Sequence, residues 1–132
     1  MGRKLLPLLF GLVFACFGQA KDKPTNFVVF LTDDLGWGDL ACYGHPVIQT
    51  PNLDKFAQQG MRFTQSYSAC GVCSPSRSSI LTGRTPYRNG VWRWIPGGHQ
   101  VHLRTSEITS AELLKEKGYE TCHVGKWHLN GK

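Results

Sequence analysis

Phe27-Val28-Val29-Phe30-Leu31, followed at once by Thr32-Asp33-Asp34, is the stretch that decides the fold. Five consecutive apolar residues of β-branched and aromatic character suit a strand covered on both faces, as in a parallel sheet. The run stops in two carboxylates and the flexible Leu35-Gly36-Trp37-Gly38. Outward from it the chain alternates. Thr50 is placed to cap a helix that starts at Pro51, carries Leu53, Phe56 and Ala57 on one face, and ends at Gly60. Met61 to Tyr67 alternates as a strand does. Ser74-Pro75 reads as the cap and first turn of a second helix, running to Thr82-Gly83. Tyr87 to Arg104, rich in Gly, Pro, Trp and His, reads as an ordered loop. Thr109 with Glu112 forms a capping box, and Ile108 with Leu113 a hydrophobic staple, for a helix ending at Gly118. Tyr119 to Trp127 reads as a further strand. The order strand, helix, strand, helix, helix, strand predicts an α/β fold with a mostly parallel sheet. About three strands would leave a wide apolar face and a raw edge. Residues 21–132 are therefore expected to be the N-terminal part of a larger domain.

The first 20 residues predict a signal peptide. Arg3 and Lys4 precede an apolar run from Leu5 to Phe17, and Gly18-Gln19-Ala20 offers small residues at the cleavage positions. The run is too short to span a bilayer as a stable helix. Cleavage after Ala20 is expected, with lipidation at Cys16 as the alternative, and the protein is expected to be exported to a periplasm, a lysosome or the medium. The 132 residues carry 15 Lys and Arg against 9 Asp and Glu, a formal charge of +6. Without Arg3 and Lys4 this becomes 13 − 9 = +4. The basic residues are scattered, so nucleic acid is not an expected partner. Of the five cysteines, Cys42, Cys70, Cys73 and Cys122 remain after cleavage, and four cysteines allow three pairings among which the sequence does not choose.

Chemistry concentrates in Cys73-Ser74-Pro75-Ser76-Arg77, continuing through Leu81-Thr82-Gly83-Arg84. Cys73 stands just ahead of a predicted helix, where free N–H groups and the dipole favour negative charge. Arg77, four residues on, returns its guanidinium to the same end. A nucleophile beside an anion pocket and a fixed cation suits attack on an oxyanion ester. Asp33 and Asp34 end the first strand at what would be its carboxyl edge, where ligands sit in open α/β sheets. Alone, the pair reads as a solvated acidic turn before it reads as a site for a hard cation. Lys126 and His128, two apart in Gly125-Lys126-Trp127-His128-Leu129, would share one face of a strand. In isolation they read as a polar strand end.

The extended Cys73 segment resembles the signature of type I sulfatases, in which that cysteine is oxidised to formylglycine. Asp-Asp-x-Gly-x-Gly-Asp at Asp33–Asp39 and Gly-Lys-Trp-His at Gly125–His128 are similar to two further stretches of that family, in the same order. The resemblance implies an alkaline-phosphatase-like α/β sandwich and sulfate-ester hydrolysis. It implies that one hydroxyl of the hydrated aldehyde attacks sulfur while the other later expels sulfate, with Arg77 polarising the diol. It makes Asp33, Asp34 and residue 73 Ca²⁺ ligands, gives Asp39 no direct metal role, and sets Lys126 and His128 on the sulfate. It further implies a sulfated small molecule or glycan as substrate and a formylglycine-generating enzyme as partner. An Asp-Asn pair, a His and a Lys of the family's site have no counterpart up to Lys132.

Three other readings compete. Phosphonate monoester hydrolases and some phosphodiesterases share Cys-x-Pro-x-Arg. Cys70-Gly71-Val72-Cys73 also has C-x-x-C redox spacing, without the tryptophan that precedes that motif in thioredoxin-like proteins. A zinc module of Cys70, Cys73, Cys122 and His123 suffers from the adjacency of its last two ligands. His45, His99 and His102 lie outside the matched stretches. Trp92 and Trp94 suit stacking on a sugar or aryl ring, and suit packing beneath the loop at least as well.

Overall fold

The computed structural model describes residues 24–131, so the signal-peptide reading and Cys16 lie outside the described residues. The chain divides into two units, Met1–Leu31 and Thr32–Lys132. In the first, residues 24–31 run without helix or ladder. Phe27 to Leu31 are exposed there, Phe30 by 91%. The predicted doubly covered strand is thus not seen. Apolar β-branched sequence favours an extended backbone, but a strand exists only where another chain segment takes its N–H and C=O groups.

The same reason applies to the two other predicted strands. Residues 61–67 and 119–127 form no ladder, and the sole bridge among the described residues is antiparallel, His102 to Asn130. Leu103 N–H donates to Leu129 O beside it at 2.9 Å.

The second unit is built from short helices. A 3-10 turn, Ala41–Tyr43, is closed by Gly44 at φ 98, a left-handed conformation that glycine adopts without a Cβ penalty. Helix α1 is Pro51–Gln59, with Pro51 in its first turn and Gly60 after its end. Thr50 stands at its N-cap as expected, but the side chain makes no capping bond. Its hydroxyl accepts from Ala41 N–H at 3.0 Å and donates to Asp54 at 2.8 Å, while Asp54 also accepts from Cys42 N–H. Thr50 is spent on tying the 3-10 turn to α1. Leu53 and Phe56 share a face as expected, yet both are exposed.

Helix α2, Cys73–Thr82, starts two residues earlier than predicted, with extended Val72 in place of Ser74 as its N-cap, and Gly83 ends it at φ 64. Pro75 is tolerated as the third helical residue because its missing N–H would find no intrahelical acceptor. Ser74, Pro75, Arg77 and Ser78 are buried. Helix α3, Pro86–Asn89, opens the stretch expected to be loop. Asn89 is fully buried; it donates to Ser78 Oγ at 3.0 Å and accepts from Val91 N–H at 3.0 Å, locking α3 to α2. Gly90 (φ 85) has Arg104's guanidinium where a Cβ would stand.

Helix α4, Ser110–Glu116, begins with the expected capping box, Thr109 Oγ1 accepting from Glu112 N–H and Glu112 accepting from Thr109 N–H. The proposed staple residues Ile108 and Leu113 are both more than half exposed. α2 packs against α3 and α4. Among the described residues, the buried apolar side chains of the core are Val91, Ile95 and Leu129, each 1% exposed and each worth about 1.5–3 kcal/mol by its removal from water. Beneath α2, buried Glu107 pairs with Arg84 at 2.8 Å and with Arg104 at 3.8 Å.

Candidate active site

Cys73 is the first residue of α2, so its Sγ stands at the end where N–H groups are free. Asp33 and Asp34 come to it from the turn after Leu31. In an extended chain, consecutive side chains point to opposite sides. Asp34 has φ 56, a left-handed conformation that Asp tolerates better than most residues. This turn lets both carboxylates serve one place: an oxygen of Asp33, an oxygen of Asp34 and Cys73 Sγ all lie within 4.8 Å of one another.

Two cations close the cluster. Arg77, four residues along α2, donates to Asp33 Oδ1 at 3.0 Å and to the Lys126 carbonyl at 2.7 Å. Its side chain is only 10% exposed, and the two bonds fix its fork. Lys126 donates to Asp33 Oδ2 at 2.7 Å and to Cys73 Sγ at 3.5 Å. The hydrogen bond from Lys126, then that from Arg77, holds Asp33 below the ordinary carboxylate range. The bond to Asp33 likewise raises Lys126 above an ordinary ammonium, with Cys73 adding to it. Asp34 has neither an ion pair nor a hydrogen bond among the described residues.

His128 is placed differently from the expectation. Gly125 has φ 96 and His128 φ 55, so the chain turns through this segment and the alternation of a strand does not apply. Lys126 goes to Asp33 and Cys73. His128 Nε2 meets Ile95 O at 3.0 Å, and its ring stands edge-on to Trp94 with centroids 5.7 Å apart. Its Nδ1 is buried without a hydrogen-bond partner among the described residues. Ile95 N–H in turn bonds Ser74 Oγ at 3.2 Å. His128 therefore reaches the residue after Cys73 through Ile95. Ser74, expected as a helix cap, is instead the buried anchor of this link, which no spacing in the sequence announces.

The donor chemistry bears on a metal. Two carboxylates, one without a partner among the described residues, suit a hard divalent cation, which takes six or more oxygens. A thiol sulfur is a soft third donor, whereas an oxygen at residue 73 would make the set uniform. The residues present fit part of a Ca²⁺ shell on those terms.

The sulfatase family model matches residues 25–132. The chain belongs to the sulfatase family. Human arylsulfatase A is 47% identical over 116 residues, covering 85% of this chain and 22% of its own length. N-acetylgalactosamine-6-sulfatase of Rattus norvegicus is 45% identical over 133 residues, covering 95% of this chain and 25% of its own. Solved structures resemble the chain as well. One from glycosaminoglycan metabolism by Bacteroides thetaiotaomicron superposes with a TM-score of 0.68 at 45% identity, over 74% of this chain and 20% of that one. This sulfatase chain thus spans about a quarter of the length of the curated relatives it matches. Among its described residues, no helix is long and apolar enough to cross a membrane.

Proposed function

We propose that the protein is a sulfuric ester hydrolase of arylsulfatase type, in which residue 73 works as formylglycine oxidised from Cys73. The observation that carries this is the convergence on Cys73 of Lys126 Nζ, 3.5 Å from Sγ, and of the Asp33 and Asp34 oxygens, within 4.8 Å, in a chain of the sulfatase family. Formylglycine supplies an oxygen nucleophile in place of a thiol, and Ca²⁺ supplies the charge that keeps such an oxygen ionised. Asp33, Asp34 and residue 73 would hold the ion.

The remaining roles fall to side chains already in place. Arg77 is a buried, doubly anchored cation at the nucleophile's end of α2, so it meets growing negative charge without having to move. Lys126 stays an ammonium at neutral pH, because Asp33 raises its proton affinity. It therefore grips a sulfate oxygen as a donor and does not act as a base. Ile95 O can only accept, so Nε2 of His128 is the donor in this bond. His128, tied to the head of α2 through Ile95 and Ser74, completes the sulfate-binding set with Lys126.

For the whole protein we propose an alkaline-phosphatase-like sandwich around a mostly parallel sheet, with 1–20 as signal peptide and 21–132 as the N-terminal part of the catalytic domain. It is exported, and a formylglycine-generating enzyme is its obligatory partner. The names of the relatives support a sulfated small molecule or glycan as substrate. The test is peptide mass spectrometry on full-length protein co-expressed with that partner, alongside turnover of an aryl sulfate. Residue 73 should be an aldehyde in active enzyme. A thiol there in fully active enzyme overturns the proposal.

A further inference from the structure

The loop after α3 is held by one residue through both of its backbone groups. Ile95 is 1% exposed; its N–H bonds Ser74 Oγ at 3.2 Å and its carbonyl meets His128 Nε2 at 3.0 Å. Ser74 is the residue after Cys73, so Ile95 is clamped between the head of α2 and His128. Its neighbour Trp94 is fixed with it. The indole stands edge-on to the His128 ring, at 5.7 Å between centroids and 87° between planes. Yet Trp94 remains 50% exposed. An indole held this firmly and still left half in water presents an apolar ring surface beside the site. Trp92, two residues earlier, differs: Arg93 lies over its ring at 5.1 Å.

We infer that Trp94 determines specificity, as the wall against which the ring bearing the sulfate ester stacks. This rests on the hydrolase reading above. An ester gripped at residue 73, Lys126 and His128 carries its organic part into the surroundings of those residues, where Trp94 is the aromatic side chain touching His128. The ligand chemistry is a flat apolar ring face joined to sulfate through oxygen, supplied either by an aromatic ring or by the C–H face of a pyranose. The edge-on contact orders the indole before substrate arrives, which lowers the entropy lost on stacking.

The experiment compares full-length enzyme, Trp94→Ala and Trp94→Phe on three esters: 4-nitrophenyl sulfate, a 6-O-sulfated N-acetylhexosamine, and methyl sulfate, which has no ring. Trp94→Ala should raise KM about threefold to tenfold for one or both ring esters and leave methyl sulfate unchanged, with Trp94→Phe in between. Which ring ester responds tells aryl from pyranose. A second readout needs no turnover: in Cys73→Ala protein, a ring ester should quench tryptophan fluorescence, and inorganic sulfate should not. Equal losses on all three esters would show that Trp94 merely supports His128, and would overturn the inference. Ring discrimination left intact in Trp94→Ala overturns it as well. An unsubstituted enzyme that turns over none of the three sinks the hydrolase reading, and this inference with it.

Discussion

The ammonium of Lys126 sits 2.7 Å from Oδ2 of Asp33, across a sequence separation of 93 residues. Arg77 holds the other oxygen of the same carboxylate at 3.0 Å. Asp33 is therefore the point where three distant segments meet: the turn after Leu31, the head of α2, and the Gly125–His128 turn. Both bonds to Asp33 are charge-assisted, and the carboxylate is shared by two cations of different character. Arg77 is buried and immobile. Lys126 is about 40% exposed and can leave for another anion.

The shared carboxylate predicts a pH window in metal-free protein. Asp33 is held below its ordinary range, so its contribution is complete above the unfolded carboxylate's pKa and disappears as pH falls through the folded one. Lys126 is raised, so its contribution is complete below the unfolded ammonium's pKa and disappears as pH rises through the folded one. Lys126→Ala should move the Asp33 carboxyl titration, followed by carbon NMR, up toward the ordinary range. An unmoved titration would mean that the pair is not formed in solution.

For Arg77, loss of function is the expected outcome. Its guanidinium spans two acceptors, Asp33 Oδ1 and the Lys126 carbonyl, a geometry that an ammonium cannot copy. Arg77→Lys and Arg77→Ala in the full-length enzyme should each lower kcat/KM for aryl sulfate by about 100- to 1000-fold. Near-normal turnover by Arg77→Lys would show that a single charge suffices there.

The capping box and the end of α2 were legible in the sequence, since both are local: Thr109 and Glu112 are three residues apart, and Gly83 stops α2 within its own turn. Asp33, Asp34, Cys73, Arg77 and Lys126 were legible as candidates because the three stretches carrying them are similar to a family's. Their meeting point in space was not written in any spacing. A shared strand face for Lys126 and His128 is not seen, because φ 55 at His128 turns the chain. The expected strands form no ladder among the described residues, as apolar pattern specifies a face but not a ladder partner. Thr50 looked like a cap, yet a hydroxyl near a free N–H and a carboxylate goes to whichever the tertiary arrangement brings.

Asn89 is expected to matter for stability more than its polarity suggests. It is fully buried, and removal of its amide leaves Ser78 Oγ and Val91 N–H without these partners. An orphaned buried donor costs about 1–3 kcal/mol. Asn89→Ala should destabilise full-length protein by about 2 kcal/mol in urea unfolding. Thr109→Ala, which removes a single half-buried cap, should cost about 1 kcal/mol. Equal effects for the two would contradict the assignment of Asn89 as the lock between α2 and α3.

Calcium affinity should depend on which atom residue 73 presents and on who else holds Asp33. Asp34 is the carboxylate with no partner among the described residues, so a cation gains it without displacing anything. Asp33 comes with Arg77 and Lys126 already on its oxygens. Asp34→Asn in the full-length protein should therefore weaken Ca²⁺ binding at least about tenfold by calorimetry. Lys126→Ala, tested without substrate, should tighten it, because the competing ammonium is gone and the local charge turns more negative. Protein carrying a thiol at residue 73 should bind Ca²⁺ more weakly than protein carrying formylglycine, since sulfur is a poor ligand for a hard ion. Unchanged affinity in Asp34→Asn would remove Asp34 from the metal site. Weaker binding in Lys126→Ala would mean that Lys126 orders Asp33 for the metal and does not compete with it.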